Sequence, residues 1–160
     1  MVKSVFRTLA LLIIGIVLNL IPSGASPLWA TQLSTGQALY VPAYSHIFIG
    51  HRSRTYKLSI TLSIRNIDPK ASLTLTTVDY HDTDGNLSKH FLDAPVVLGP
   101  MASTRYVVPV QENAGGSGAN FVVRWQADHK INPPIVESVM IGTQSQQGIS
   151  FTSRGQVIIE

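Results

Sequence analysis

The stretch Leu58–Asn66, LSITLSIRN, alternates up to its last residue: Leu58, Ile60, Leu62 and Ile64 share one parity, and Ser59, Thr61, Ser63 and Arg65 share the other. Successive side chains of an extended chain point to opposite faces, so a period of two predicts a half-buried antiparallel strand with its apolar face inward. The same period recurs along most of the chain, and it decides the fold class.

Downstream, SLTLTTVDY (Ser72–Tyr80) keeps the alternation through Leu73 and Leu75, then changes parity so that Val78 and Tyr80 fall on the other phase. A bulge near Thr76 and Thr77 restores one continuous apolar face. The next segment, DTDGN (Asp82–Asn86), predicts a two-residue turn at Asp84 and Gly85, both tolerant of positive φ, with a return strand over Leu87–Leu92. Further strands are expected at Ala38–Tyr44, Ser103–Val110, Phe121–Ala127, Ile135–Ile141, Gly148–Thr152 and Gln156–Glu160. Pro42 and Pro109 each remove a ladder donor, which places them at sheet edges or bends. About seven or eight short strands separated by turn signals describe an all-β, antiparallel sandwich or small barrel. The order of LSIRN, the aspartate-rich turn and LGP is similar to immunoglobulin-like and fibronectin-like modules, which favours a Greek-key β-sandwich. GGSGA (Gly115–Ala119) reads as a flexible loop, and no helix is expected beyond the N-terminal segment.

That segment divides as an export signal does. Lys3 and Arg7 form a basic start, an apolar run follows from Leu9 to Ile21, and SGAS supplies small residues for cleavage after Ala25. The run is shorter than the ~20 apolar residues of a membrane span. The domain plan is therefore a signal peptide over 1–25, a linker over 26–37 and a sandwich over 38–160. Removing the signal takes away Lys3 and Arg7 but no acid, so the formal charge falls from +3 to +1. So small a net charge gives no basis for a nucleic-acid partner, and it leaves the membrane only to an uncleaved signal. The chain has no cysteine, which excludes a disulfide, a thiolate zinc site, a thiol nucleophile and a thiol-linked lipid.

Several constellations carry candidate chemistry. With a two-residue turn, Asp79 faces His90 and His81 faces Ser88, so Asp79, His81 and His90 share the outer side of a hairpin. Two imidazoles and a carboxylate are the ligand types of a divalent metal, although nothing in the sequence supplies a fourth ligand; no other cofactor is expected. Asp82, Asp84 and Gly85 echo half a calcium loop but lack its remaining oxygen ligands, and turn chemistry accounts for them. Ser117 sits one residue from a nucleophile-elbow pattern, without the strand-to-helix turn that makes such a serine reactive. Trp125 shares parity with Phe121 and Val123 and is assigned to the core. Tyr40, Tyr44 and Phe48 are spaced by four, which is not a strand period, so they do not define one exposed aromatic stripe. Near the C-terminus, Thr143, Gln144, Ser145, Gln146 and Gln147 form an uncharged run of hydrogen-bonding side chains, followed by Arg154. These six are the candidate ligand-binding residues; the competing reading has the amides capping backbone groups within the fold.

YVPAYSHI (Tyr40–Ile47), SIRNIDP (Ser63–Pro69), VDYHDTDG (Val78–Gly85), GGSGANFVVRW (Gly115–Trp125) and NPPIVESVMIGTQSQQGISFTSRG (Asn132–Gly155) together resemble the bacterial domain-of-unknown-function family 3124. The resemblance covers residues 38–159 and implies a small exported protein with no assigned activity. The leading expectation is a non-enzymatic binding or interaction module of the bacterial cell envelope, periplasmic or extracellular, whose partner is an envelope protein or a small polar ligand. The alternative is a metal-binding envelope protein built on Asp79, His81 and His90, and a hydrolase ranks third.

Overall fold

The computed structural model describes residues 32–50, 54–144 and 147–159. The expected signal over 1–25 lies outside them. Twelve strands follow in order: β1 (Ser34–Pro42), β2 (His46–Phe48), β3 (Thr55–Lys57), β4 (Ser59–Arg65), β5 (Leu73–His81), β6 (Leu87–His90), β7 (Val96–Leu98), β8 (Ser103–Val108), β9 (Asn120–Ile131), β10 (Ile135–Gln144), β11 (Gln147–Arg154) and β12 (Gln156–Ile158). β1 begins four residues before the expected Ala38, so the end of the anticipated linker belongs to a sheet. The short strands β2, β3 and β7 have no pattern of their own in the sequence. β7 takes up ladder groups of the longer β5, whereas β2 and β3 pair with each other.

Two antiparallel sheets make the sandwich. One runs β12-β1-β9-β5-β6, with β7 also paired to β5; the other runs β11-β10-β4-β8, and β2 and β3 form a separate ribbon. β4 pairs with β8 in one sheet while β5 pairs with β9 in the other, so the β4–β5 and β8–β9 connections both cross between sheets. This interlock is the Greek-key signature of immunoglobulin-like sandwiches.

The core is the alternation of LSITLSIRN repeated on both sides. Ile60, Leu62 and Ile64 are fully buried and face Leu73, Leu75, Val78, Phe121, Val123 and Trp125 of the other sheet within one apolar cluster. Burying such a side chain contributes about 1.5–3 kcal/mol relative to leaving it exposed. The change of parity in β5 is resolved by a bulge: Leu75 pairs with Trp125 and Thr77 with Arg124, leaving Thr76 as the extra residue. Leu75 and Val78 therefore both point inward. Ser138 is the polar exception on the inner face of β10, and its hydroxyl donates to the Pro42 carbonyl of β1, bonding one sheet to the other.

One end of the sandwich is tied by a polar knot after β4. The Asn66 side-chain amide donates to the carbonyls of Ala71 (2.8 Å), Leu98 (3.2 Å) and Gly99 (2.9 Å), while its oxygen accepts from Asp68 N–H. Asp68 Oδ1 accepts from the N–H groups of Lys70 and Ala71, and Oδ2 from Asn132. The backbone N–H groups of Lys70, Asn132 and Ala71 hold the Asp68 carboxyl well below the usual carboxylate range. The turn Gly99–Ala102 closes against this knot with Met101 at φ 57°, the left-handed position that a proline before it and a hydrogen bond from Ala102 N–H to Gly99 O select. Asn66 N–H then bonds Ala102 O, which fixes the end of β4 beside the start of β8.

The β5–β6 turn departs from the expected two-residue form. Gly85 N–H bonds Asp82 O and Asp82 N–H bonds Asn86 O, and of Asp84 and Gly85 only Gly85 has positive φ. This is a three-residue loop: a type I turn closed by a left-handed glycine. The extra residue moves His81 opposite Leu87 rather than Ser88, and a second irregularity between Tyr80 and His81 returns Asp79 to face His90.

The GGSGA segment is not the free loop expected of its composition. Its carbonyls and N–H groups are gripped from two sides: Thr83 N–H and hydroxyl donate to Gly115 O, Gly118 N–H donates to Thr83 Oγ1, and Ser45 exchanges bonds with Gly116. A short 3-10 turn, Asn113–Gly115, leads into it, an element the sequence pattern does not show. Gly115 lies against the Tyr80 hydroxyl with no room for a Cβ.

Candidate functional site

The outer face of the four-stranded sheet is a grid set by strand register. Arg154, Glu137, Ser63 and Arg105 lie in one row across β11, β10, β4 and β8; Thr152, Val139, Thr61 and Val107 form the next; Ser150, Ile141 and Ser59 the one after. On the other side of the first row, Arg65 pairs with Ser103. Alternation forces this arrangement: the inward parity of these strands is mainly apolar, Thr104 and Ser138 excepted, so the opposite parity meets solvent.

Chemically the grid has two zones. Arg65, Arg105 and Arg154 form a charged band with Glu137 as its one acid, and Val107, Val139 and Ile141 lie beyond it among serine and threonine hydroxyls. Arg105 and Arg154 are separated by three strand spacings, roughly 14 Å at the backbone. Arg65 Nε reaches Glu137 Oε1 at 4.0 Å, the outer limit of an ion pair, with the arginine side chain 57 % exposed. Among the described residues neither Arg105 nor Arg154 has an ionic partner. A concavity of about 410 Å³ is lined by Thr61, Ser63, Arg65, Ser103, Arg105 and Ile141, with Thr104 and Val139 completing it.

A second concavity, about 260 Å³, lies beside the GGSGA segment and is lined in part by Tyr80, Ser88, Lys89, Glu112 and Gly115. The Lys89–Glu112 pair at 3.2 Å spans this region, and the Tyr80 hydroxyl is buried with no hydrogen-bond partner among the described residues. Burial, with the charges of Glu112 and Asp82 adding to it, pushes the Tyr80 phenol up to about 12.

The sequence-selected residues divide among these places. Thr143 and Arg154 belong to the outer face of the four-stranded sheet, Thr143 in register with Gly148 beyond the Ile141 row. Gln144 and Gln147 are register partners that end β10 and begin β11; their side chains, and Ser145 and Gln146 altogether, lie outside what the structure describes. Asp79 and His90 do meet, Oδ1 to Nδ1 at 2.7 Å. His81 has Leu87 as its register partner rather than Ser88, and its buried Nδ1 makes no hydrogen bond among the described residues. Among the described residues no three histidines, cysteines or acids converge to hold a metal ion.

Asp82 spends its carboxylate on the turn, accepting from Asp84 N–H, Asn86 N–H and the Asn86 amide. Ser117 forms no hydrogen bond to a histidine or carboxylate among the described residues. Trp125 is in the core as expected. Tyr40, Tyr44 and Phe48 scatter: Tyr40 is exposed on the six-stranded sheet, Tyr44 packs edge-on against Phe151 and Phe48 stands beside His46.

Sequence reasoning missed Arg65 and Arg105 as site residues. Each sits on the polar parity of its own strand, which was legible. Their adjacency requires β4 to pair with β8 across forty residues of chain, and that pairing was not.

The fold and this face define an all-β antiparallel sandwich domain that presents one basic, hydroxyl-rich sheet surface. The model of the family described as "Protein of unknown function (DUF3124)" matches residues 36–158, and the chain belongs to that family. No curated protein matches the chain. Among solved structures, a Thermotoga maritima protein, 1070, is 12 % identical, with 75 % of this chain and 92 % of that one covered at a TM-score of 0.42, too low to bear on fold or function.

Proposed function

We propose that this protein is a non-enzymatic binding module of the bacterial cell envelope, exported by its N-terminal segment and acting through the outer face of β11-β10-β4-β8. The observation that carries the reading is the segregation of charge: among the described residues three arginines and one glutamate share this face, while the other acids lie on loops and the opposite sheet. A hydrogen-bonded sheet holds these groups in fixed register, so a ligand meets them without ordering a loop first. Exposed Val107 and Ile141 beside arginine give the mixture of apolar centre and charged rim found at recognition surfaces.

The test places a photo-crosslinking amino acid at Thr152, on this face, or at Gln126, exposed on the opposite sheet, in the full chain expressed in its native host. A discrete adduct in the envelope fraction from the Thr152 position and none from Gln126 is expected. No adduct at either, or equal adducts at both, overturns the reading. Mass spectrometry of the purified N-terminus is expected to find a chain that begins after Ala25.

A further inference from the structure

We infer that the corner of this face bounded by Arg65, Ser103, Ser63 and Arg105 is a binding site for a tetrahedral oxyanion, a phosphate or sulfate group carried by the ligand. The inference rests on the binding reading above and deepens it by naming the chemistry recognised.

The geometry is a two-by-two square. Arg65 pairs with Ser103 and Ser63 with Arg105 on adjacent strands, so the two arginines occupy one diagonal and the two serines the other. Side chains on a diagonal of one sheet face are within reach of each other when long, and like charges so placed repel. Arg105 has no acid partner among the described residues, while Glu137, the register partner of Ser63, reaches Arg65 Nε at 4.0 Å. The hydroxyls of Ser63 and Ser103 have no protein acceptor or donor among the described residues, and all four side chains line the same concavity, which Glu137 does not. Two guanidinium forks and two hydroxyls on one lining offer donors enough for an anion with several oxygens, whereas a planar carboxylate satisfies one fork. No aromatic side chain lines the concavity, so it offers no stacking surface for an uncharged sugar.

The square is held rigid by the knot behind it. Asn66 and Ala102, the residues next to Arg65 and Ser103, are bonded backbone to backbone at 2.9 Å, and Asn66 is locked by its three carbonyl acceptors.

The experiment is an amide chemical-shift titration of the purified domain at constant ionic strength, with inorganic phosphate, methyl phosphate, sulfate and acetate as separate probes. Saturable shifts at Ser63, Arg65, Ser103 and Arg105 are expected with phosphate or sulfate and not with acetate; the phosphate and sulfate arms identify which group the site prefers. Arg105→Gln and Arg65→Gln should each weaken binding tenfold or more, and Glu137→Gln should strengthen it. In the absence of anion, Arg105→Gln should melt no lower than the parent, because it removes a repulsion and leaves the core untouched. Shifts that do not saturate, that spread evenly to Arg124 and Lys130, or that survive Arg105→Gln overturn the inference. If they do so while the Thr152 adduct still forms, the oxyanion is wrong and the binding face stands; if the adduct is lost as well, both fall.

Discussion

One carboxylate oxygen of Asp68, Oδ2, accepts from both the backbone N–H and the side-chain amide of Asn132, each at 3.1 Å. Through that single atom the corner after β4 is fastened to the turn before β10, where Pro133 and Pro134 set the direction of the next strand. The donors favour the ionised form, so the folded chain holds this carboxyl below its ordinary value of about 3.9. A depressed carboxyl adds stability that is present above the ordinary value and is lost as pH falls through it toward the folded one. The parent should therefore lose thermal stability below about pH 4. Asp68→Asn should melt lower at pH 7, with the gap closing as the pH is taken toward 2. Thermal unfolding across that range checks both; a pH-independent gap would contradict the assignment.

Asn66→Ala removes the donor to three carbonyls and the acceptor for Asp68 N–H, in a site that is 2 % exposed. Leaving buried polar groups unpaired costs about 1–3 kcal/mol each where water cannot reach them, so a loss of about 3 kcal/mol is expected in urea unfolding. A loss below 1 kcal/mol would show that water replaces the amide.

Gly115→Ala would drive a methyl into the Tyr80 hydroxyl, an overpacking that costs about 1–3 kcal/mol. Tyr80→Phe removes a buried hydroxyl that has no partner among the described residues and should be neutral or stabilising. In the Tyr80→Phe background Gly115→Ala should cost less, and the double-mutant cycle measures the coupling.

The same phenol gives an alkaline signature. Its folded value is raised to about 12 from 10.0, chiefly by burial. A raised acid contributes stability that is complete below the unfolded value and is lost as pH climbs toward the folded one. Destabilisation between about pH 10 and 12 should follow in the parent and shrink in Tyr80→Phe, read by thermal melts beside phenolate absorbance.

Ser138→Ala would strip the donor from the Pro42 carbonyl at the point where β10 meets β1. The expected cost is about 1–3 kcal/mol with no change in strand content by circular dichroism.

How far the sequence reaches is visible in particular residues. The phase change between Leu75 and Val78 announced the Thr76 bulge, because parity is a local property and burial enforces it. The DTDG turn was located, but its length was not. Whether Asp84 or Gly85 alone takes positive φ depends on how Asp82 and Asn86 close the loop, and one residue there was enough to move His81 away from Ser88. GGSGA looked loose by composition, yet its glycines are needed for the close approach of Tyr80 and Thr83, side chains far away in the chain.

By itself, then, the sequence determined what alternation and turn chemistry encode: an all-β antiparallel sandwich, its buried parities, and Trp125 in the core. Only the tertiary structure decided which outward side chains become neighbours. Arg65 and Arg105 become diagonal neighbours because β4 pairs with β8 while β5, between them in the chain, crosses to the other sheet. Strand parity follows from a period of two and needs no partner; strand pairing follows from how two apolar faces close over one another, and no local pattern contains it.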